Sequence, residues 1–469
     1  MAGDPPRLQL TDTRSREKKE FKPVSDTVLL YVCGLTVSDD PHLGHARTWT
    51  SFDVLHRYLE YLGYDVRHVE NVTDVDDKII ARAEDEDVEP EEVAARYTEQ
   101  VYEDMKALGL HRVTVRPRVT EHVDDIIEIV ETLVDRGYAY ETEGGVYYDV
   151  SEFDSYGELS GQDPDELEQG EQREQKDDPA DFALWKAAKP GEPQWDSPWG
   201  PGRPGWHVEC SAMSTRHLGE TIDIHGGGRD LVFPHHENEI AQTEAATGQE
   251  FARYWMHVGP LRVGEDKMST SLDNYWTVHE ALEDYSANDV RAFLISIRYS
   301  KPQQLEDDSL DEGRRRWKRL SNAVEAAERA MDSLDARAKH VDEDLRSKVE
   351  SGVEEFEAAM SEDLNTPEAL AALYGVVDSV NRHVESPPYD YEGLYRAWTS
   401  LRILAGDVLG FDFSDVGGDV ERVVEAALEV RERRREEGRY DEADAIRDAL
   451  DAGGVEVRDS DEGPTYDVE

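Results

Sequence analysis

A chain of 469 residues is long for one folding unit and has material for about three domains. Its 51 Lys and Arg stand against 106 Asp and Glu, a formal net charge of −55 spread along the whole chain. That balance excludes a basic nucleic-acid coat and an acidic tail on a neutral body, while 9 Trp, 21 Tyr and periodic apolar segments exclude a disordered acidic chain.

Such charge repels itself in dilute buffer, but in molar salt the Debye length falls to about 3 Å, so the expectation is a folded, salt-adapted protein. Phosphate binding relies on Lys and Arg, and screening weakens that objection to a nucleic-acid partner without removing it. No signal peptide opens MAGDPPRLQL and the run VLLYV is too short to span a bilayer, so no membrane association and a cytoplasmic location are expected. There the two cysteines, Cys33 and Cys210, should remain thiols.

In chain order, TVLLYVCG (27–34) reads as a buried strand. The segment from His45 to Leu62 reads as a helix with Phe52, Leu55, Leu59 and Leu62 on one face, and VRHVENV as a second strand. Strand, helix, strand implies a parallel α/β unit of the nucleotide-binding kind. A charged helical stretch runs to about Leu110. Residues 111–205 then carry a helix, short strands at GGVYYDV and a Gly/Pro-rich return, PGEPQWDSPWGPGRPG.

TIDIHGGG (221–228) is another strand, so the α/β domain is split by an insertion. FPHHENEIAQ opens a helix with Pro234 at its first position, which puts His235 and Glu239 four apart on one face, at metal-ligand spacing. Beyond residue 302 the pattern becomes that of a helical bundle, and GFDFSDVGGD separates a last helical module.

Two polar motifs flank the first domain. PHLGHARTWT places His42 and His45 at a helix start, where imidazole donors can reach phosphate oxygens, and Gly44 leaves room for a flat base. GEDKMSTSLDN (264–274) offers Lys267 with Ser269, Thr270 and Ser271 to charge developing on a leaving pyrophosphate. Together they resemble the two ATP signatures of class I aminoacyl-tRNA synthetases.

YVCGLT, PHLGHARTWTSFDV, NVTDVDDKII, PGWHVECSAMS, DIHGGGRDLVFPHHENEIAQ and NTPEA narrow the likeness: in that order they resemble cysteinyl-tRNA synthetases. The resemblance implies an α/β, Rossmann-type catalytic domain in two halves (1–110 and 206–260) around an inserted connective domain (111–205). A stem-contact region (261–305), a helical bundle (306–410) and an anticodon-binding module (411–469) would follow. It implies one Zn²⁺ per chain on Cys33, Cys210, His235 and Glu239, with two readings open: a closed structural site, or a metal that also takes the substrate thiolate and so rejects serine.

It further implies ATP with Mg²⁺, L-cysteine and tRNA(Cys) as substrates, and a monomer. His42, His45, Lys267, Ser269, Thr270 and Ser271 would serve catalysis. Gly44, His225, Gly226, Gly227 and Gly228 would admit the nucleotide, with Gly34, Thr36, Thr73, Trp206 and Asp230 around the amino acid. The chain departs from the family at Thr270, where a second lysine is usual, and at its acidic end, GPTYDVE. Arg-rich ERRREEGRY is a candidate for phosphate contacts there. Two rival readings are a ligase acting on a small amine and a non-catalytic zinc-containing RNA-binding paralogue.

Overall fold

The computed structural model describes residues 7–163, 176–264, 266–268, 275–333, 336–337, 340–414, 416, 420–436, 438–452, 455–460 and 463–468. Ser269, Thr270 and Ser271 lie outside them. The chain forms two compact units, 7–284 with 299–306, and 285–298 with the segment from 307 onward.

The first unit opens with a hairpin, β1 (Gln9–Asp12) and β2 (Glu17–Glu20), which the sequence reading did not anticipate. Asp12 anchors it: its carboxylate accepts the Trp255 N–H (3.0 Å), the Ser15 hydroxyl (2.6 Å) and the Lys19 ammonium (2.7 Å). β3 (Thr27–Thr36) leads through α1 (Leu43–Tyr61) to β4 (Asp65–Thr73). α1 turns Leu43, Phe52, Leu55 and Leu59 inward, consistent with the apolar spacing.

Helices α2 (Asp77–Glu86), α3 (Pro90–Ala107) and α4 (Val123–Asp135) follow. An antiparallel sheet of β5 (Ala139–Thr142), β6 (Gly145–Tyr148), β7 (Phe182–Ala187) and β8 (Gly202–Pro204) comes next, in that spatial order. The chain re-enters the parallel sheet through α5 (Trp206–Leu218), β9 (Ile222–Gly228), α6 (Glu237–Thr247) and β10 (Ala252–Val258).

That sheet runs β10–β9–β3–β4, every neighbour parallel. β3 reads as a near-continuous apolar run because both faces of the sheet are covered, whereas β4 and β9 bury polar residues, among them Glu70, Asn71, Asp223 and His225. β3 pairs on one side with the strand that follows it and on the other with one returning after the insertion. The carboxyl ends of β3 and β9 therefore flank a topological switch point, where open α/β sheets bind ligands. β11 (Leu261–Val263) pairs with β12 (Asp266–Lys267) and with β13 (Gln303–Gln304), and α7 (Val278–Asp284) completes the unit.

The second unit is helical: α8 (Ala287–Leu294), α9 (Ser309–Met331), α10 (Glu343–Ser361), α11 (Thr366–His383) and α12 (Tyr391–Leu401). Leu320, Val324, Phe356, Leu373, Val377 and Leu394 fill its core, and Trp398 donates to buried Glu328 at 2.8 Å. A two-residue pairing of β14 (Ala336–Arg337) with β15 (Tyr389–Asp390) lies within it. The final module comprises α13 (Val420–Glu436), α14 (Tyr440–Ala452) and a hairpin, β16 (Val455–Ser460) with β17 (Gly463–Val468). Sequence reading saw its helices and missed the hairpin.

Candidate active site and metal centre

At the switch point lies a cleft of about 580 Å³. Cys33, Gly34, Thr36, His42, Gly44, His45, Trp206, Gly228, Asp230 and Lys267 line it, ten of the residues expected from sequence.

His42 caps α1 through its side chain: Nδ1 accepts the N–H groups of Gly44 (3.0 Å) and His45 (3.4 Å), while Nδ1 of His45 accepts the N–H of His42 (3.2 Å). The two rings stack at 3.7 Å. With Nδ1 accepting in each ring, the proton of each neutral imidazole sits on Nε2. Burial holds the His42 pKa down to about 4, with the Lys267 charge acting the same way, and burial takes His45 well below the usual value. Both are therefore neutral N–H donors at neutral pH. Gly44 lines the cleft and also meets His42 closely: a Cβ there would stand 2.7 Å from the His42 ring.

Two backbone hydrogen bonds join the second motif's flank to the first. Leu43 N–H donates to Trp276 O (3.0 Å) and Val278 N–H to Pro41 O (2.9 Å). On the other flank, Met268 N–H donates to Leu261 O at 2.9 Å, and Lys267 pairs across to Arg262. Lys267 Nζ meets Asp230 Oδ2 at 2.8 Å.

Four donors converge below. Cys33 ends the buried part of β3, Cys210 faces it from α5, Glu239 comes from the first turn of α6, and His235 from the helical turn Val232–His236 before it, where Phe233 is extended; α6 thus starts at Glu237 rather than at Pro234 as expected. All four are buried, with one ligand atom of each within 4.8 Å of the others. The sulfur atoms lie 3.6 Å apart, Cys33 Sγ is 3.2 Å from Glu239 Oε1, and His235 Nε2 is 3.1 Å from the same oxygen.

The set fits a zinc ion. Two thiolates at ~2.3 Å from one tetrahedral metal would stand roughly 3.8 Å apart. The buried carboxylate and thiols also draw positive charge. Burial works to lower the His235 pKa, yet Glu239 and Cys210 raise it to about 10, and burial with Cys210 pushes the Cys33 thiol well above its usual value. Cys33, His225 and His236 form an overlapping donor group.

His225 does not line the cleft. It is fully buried, stacks on Trp255 (4.4 Å) and sets Nε2 2.8 Å from Glu239 Oε2, the kind of outside contact that would orient a candidate metal donor. Further out, His207 Nδ1 approaches His235 Nδ1 (3.0 Å), and His236 Nδ1 approaches His257 Nε2 (2.8 Å). Trp206, opening the helix that carries Cys210, lays its ring 4.4 Å from that of His235.

Of the three glycines that end β9, only Gly228 faces the cleft. A Cβ at Gly226 would meet the Phe52 ring at 2.1 Å, and one at Gly227 would meet Leu231 at 2.9 Å, so these two serve packing against α1 and the α6 turn. Thr73 lies one layer beneath the lining, 2% exposed. Its hydroxyl donates to Glu209 (2.9 Å) and accepts from Asn71 (3.2 Å). Asn71 Oδ1 in turn accepts the Gly34 N–H at 2.8 Å. Sequence reading missed Asn71 and Glu209, although both lie in motifs it singled out, NVTDVDDKII and PGWHVECSAMS.

In the last module, Arg434 and Arg439 pair with Glu442 and Arg435 with Glu432, whereas Arg433 is exposed.

The family model for the tRNA synthetases class I (C) catalytic domain matches residues 20–315, and that for the DALR domain matches 355–414. A cysteine–tRNA ligase of Haloarcula marismortui is 50% identical, covering 98% of this chain and 99% of its own. One of Halobacterium salinarum is 48% identical over 97% and 99%. One of Thermococcus onnurineus is 44% identical over 98% of each. Among solved structures, a methionyl-tRNA synthetase of Mycobacterium tuberculosis superposes with a TM-score of 0.67 at 16% identity, over 85% of this chain and 96% of that one, a likeness of fold.

Proposed function

The chain belongs to the cysteine–tRNA ligases, class I aminoacyl-tRNA synthetases that activate cysteine with ATP and pass it to tRNA(Cys), and on that premise we propose how its residues divide the work. Two haloarchaeal relatives accord with its acidic, salt-adapted composition. The observation that carries the proposal is the meeting, at one cleft, of a four-donor metal set with the paired histidines and Lys267.

Cys33, Cys210, His235 and Glu239 hold one Zn²⁺ per chain. The ion supplies a soft Lewis acid that favours a thiolate over an alcohol, so cysteine is chosen over serine by chemistry rather than size. Trp206 closes over the side chain, Thr36 lines the same wall, and Asp230 receives the ammonium group. Thr73 acts from below, holding Asn71 and through it the Gly34 backbone beside Cys33.

The cysteine carboxylate attacks the α-phosphorus of Mg-bound ATP in line. The bond to the bridging oxygen breaks and pyrophosphate departs with the electron pair. The outward Nε2–H groups of His42 and His45 donate to phosphate oxygens. Lys267 takes up charge on the leaving group, with Ser269, Thr270 and Ser271 as further donors, and Gly228 lets the nucleotide approach. A hydroxyl of the tRNA's 3′-terminal adenosine then attacks the adenylate carbonyl and AMP leaves.

Residues 411–469 are proposed as the anticodon-reading module, with exposed Arg433 the member of its Arg-rich run free to meet phosphate. A cytoplasmic monomer completes the reading. No described helix is long and apolar enough to cross a membrane.

Cobalt substitution tests the zinc role. One Co²⁺ per chain should give sulfur-to-metal absorption that shifts on adding cysteine and stays fixed with serine. A spectrum indifferent to cysteine would mark a closed structural site.

A further inference from the structure

Asp230 and Lys267 face one another across the cleft from separate segments, one in the turn after β9 and the other in β12 at the base of the signature loop. Lys267 Nζ lies 2.8 Å from Asp230 Oδ2. The other oxygen, Oδ1, leans over Gly228, where a Cβ would stand 2.6 Å away. The side chains are 57% and 46% exposed, so burial does not lock the pair, and an ion pair of this kind is worth about two- to fivefold in an equilibrium constant. A contact that weak can be exchanged by a ligand.

Each partner carries the charge that one substrate needs. A triphosphate is recognised by the ammonium of Lys267, and the α-ammonium of cysteine by the carboxylate of Asp230. While the two bind each other, each substrate must compete for its own contact.

We propose that the Lys267–Asp230 pair is exchanged for substrate contacts and thereby couples the two substrates: ATP draws Lys267 onto its phosphates and leaves Asp230 uncompensated for the cysteine ammonium. Linkage makes the effect mutual, so cysteine raises the affinity for ATP by the same factor. Before ATP arrives, Lys267 opposes cysteine binding. This role rests on the assignment of Asp230 to the amine and Lys267 to the phosphates made above, and adds that the two assignments depend on each other.

The test is equilibrium dialysis of labelled cysteine against zinc-loaded enzyme in molar KCl, with and without saturating α,β-methylene-ATP, an analogue that cannot release pyrophosphate. Wild-type enzyme should bind cysteine about two- to fivefold tighter with the analogue. Lys267→Met, checked for folding by thermal melting, should bind cysteine in the absence of nucleotide more tightly than wild type does, and gain nothing from the analogue. Asp230→Asn should bind cysteine at least about tenfold more weakly, as expected when a charged contact is lost, and the analogue no more weakly than wild type. A Lys267→Met enzyme with unchanged cysteine affinity and intact coupling would overturn the exchange while leaving the amine assignment standing. An Asp230→Asn enzyme with undiminished cysteine affinity would overturn the assignment itself.

Discussion

His42 and His45 cap one another: the Nδ1 of each accepts the backbone N–H of the other, a capping box built from two imidazoles. The motif therefore does two things at once, ending α1 with its ring nitrogens and offering Nε2–H outward. His42→Asn keeps a good capping acceptor and removes the outward donor. It should melt within about 1 kcal/mol of wild type while pyrophosphate exchange falls by about 10²-fold. His42→Ala should lose both, adding about 1 kcal/mol of instability. Parallel melting curves and exchange rates separate the two roles.

The same burial sets a pH dependence of stability. The folded His42 pKa of about 4 lies below the ordinary histidine value of 6.5, so between those values the unfolded chain binds the extra proton. Stability from this site is therefore complete above pH 6.5 and is lost as pH falls toward 4. Denaturation midpoints of wild type and His42→Asn, measured at fixed salt from pH 7.5 to 4.5, should converge as the pH drops. Parallel curves would show that the imidazole takes up its proton in the fold as readily as in the unfolded chain.

Metal removal should destabilise the first unit, because its four donors come from β3, α5, α6 and the turn before α6. A ligand present at a thousandfold over its dissociation constant stabilises by about 4 kcal/mol, and chelation should cost a comparable amount. The melting transition should fall on chelation and recover on adding Zn²⁺. A Glu239→Gln protein should respond more weakly to both.

Gly226 tests whether the glycines at the end of β9 serve packing or nucleotide access. Its missing side chain is replaced by the Phe52 ring, which an added Cβ would meet at 2.1 Å. Gly226→Ala should destabilise by about 2 kcal/mol through overpacking. Combined with Phe52→Ala it should cost less than the two single changes summed, since they share one contact. Strict additivity in denaturant midpoints would place the alanine methyl elsewhere.

Much of this was legible in the sequence because it rests on local rules. β3 announces itself as an apolar run, β4 by its spaced valines, and α1 as a 3.6-residue period that brings Phe52, Leu55 and Leu59 inward. His235 and Glu239 are neighbours by helical spacing alone. Cys33 and Cys210, 177 positions apart, could be joined only through family likeness, since no local rule brings β3 against α5.

What stayed hidden depends on tertiary neighbours. Gly226 reads as an opening for a ligand, yet the space it leaves is taken by a ring of the protein itself, that of Phe52. His225, grouped with the nucleotide glycines by adjacency, points instead to Glu239, because successive strand residues alternate between faces. The N-terminal hairpin escaped notice because EKKE has no apolar alternation; Asp12, through its hydrogen bond to Trp255, holds it in place.

The most direct test of the central claim is cysteine-dependent ATP–pyrophosphate exchange by zinc-loaded enzyme in molar KCl, with serine in parallel and Cys210→Ser as control. The account predicts exchange with cysteine, none above background with serine, and loss of the cysteine signal in the variant. Equal exchange with serine, or undiminished exchange by Cys210→Ser, would contradict selection of the thiol by the metal centre.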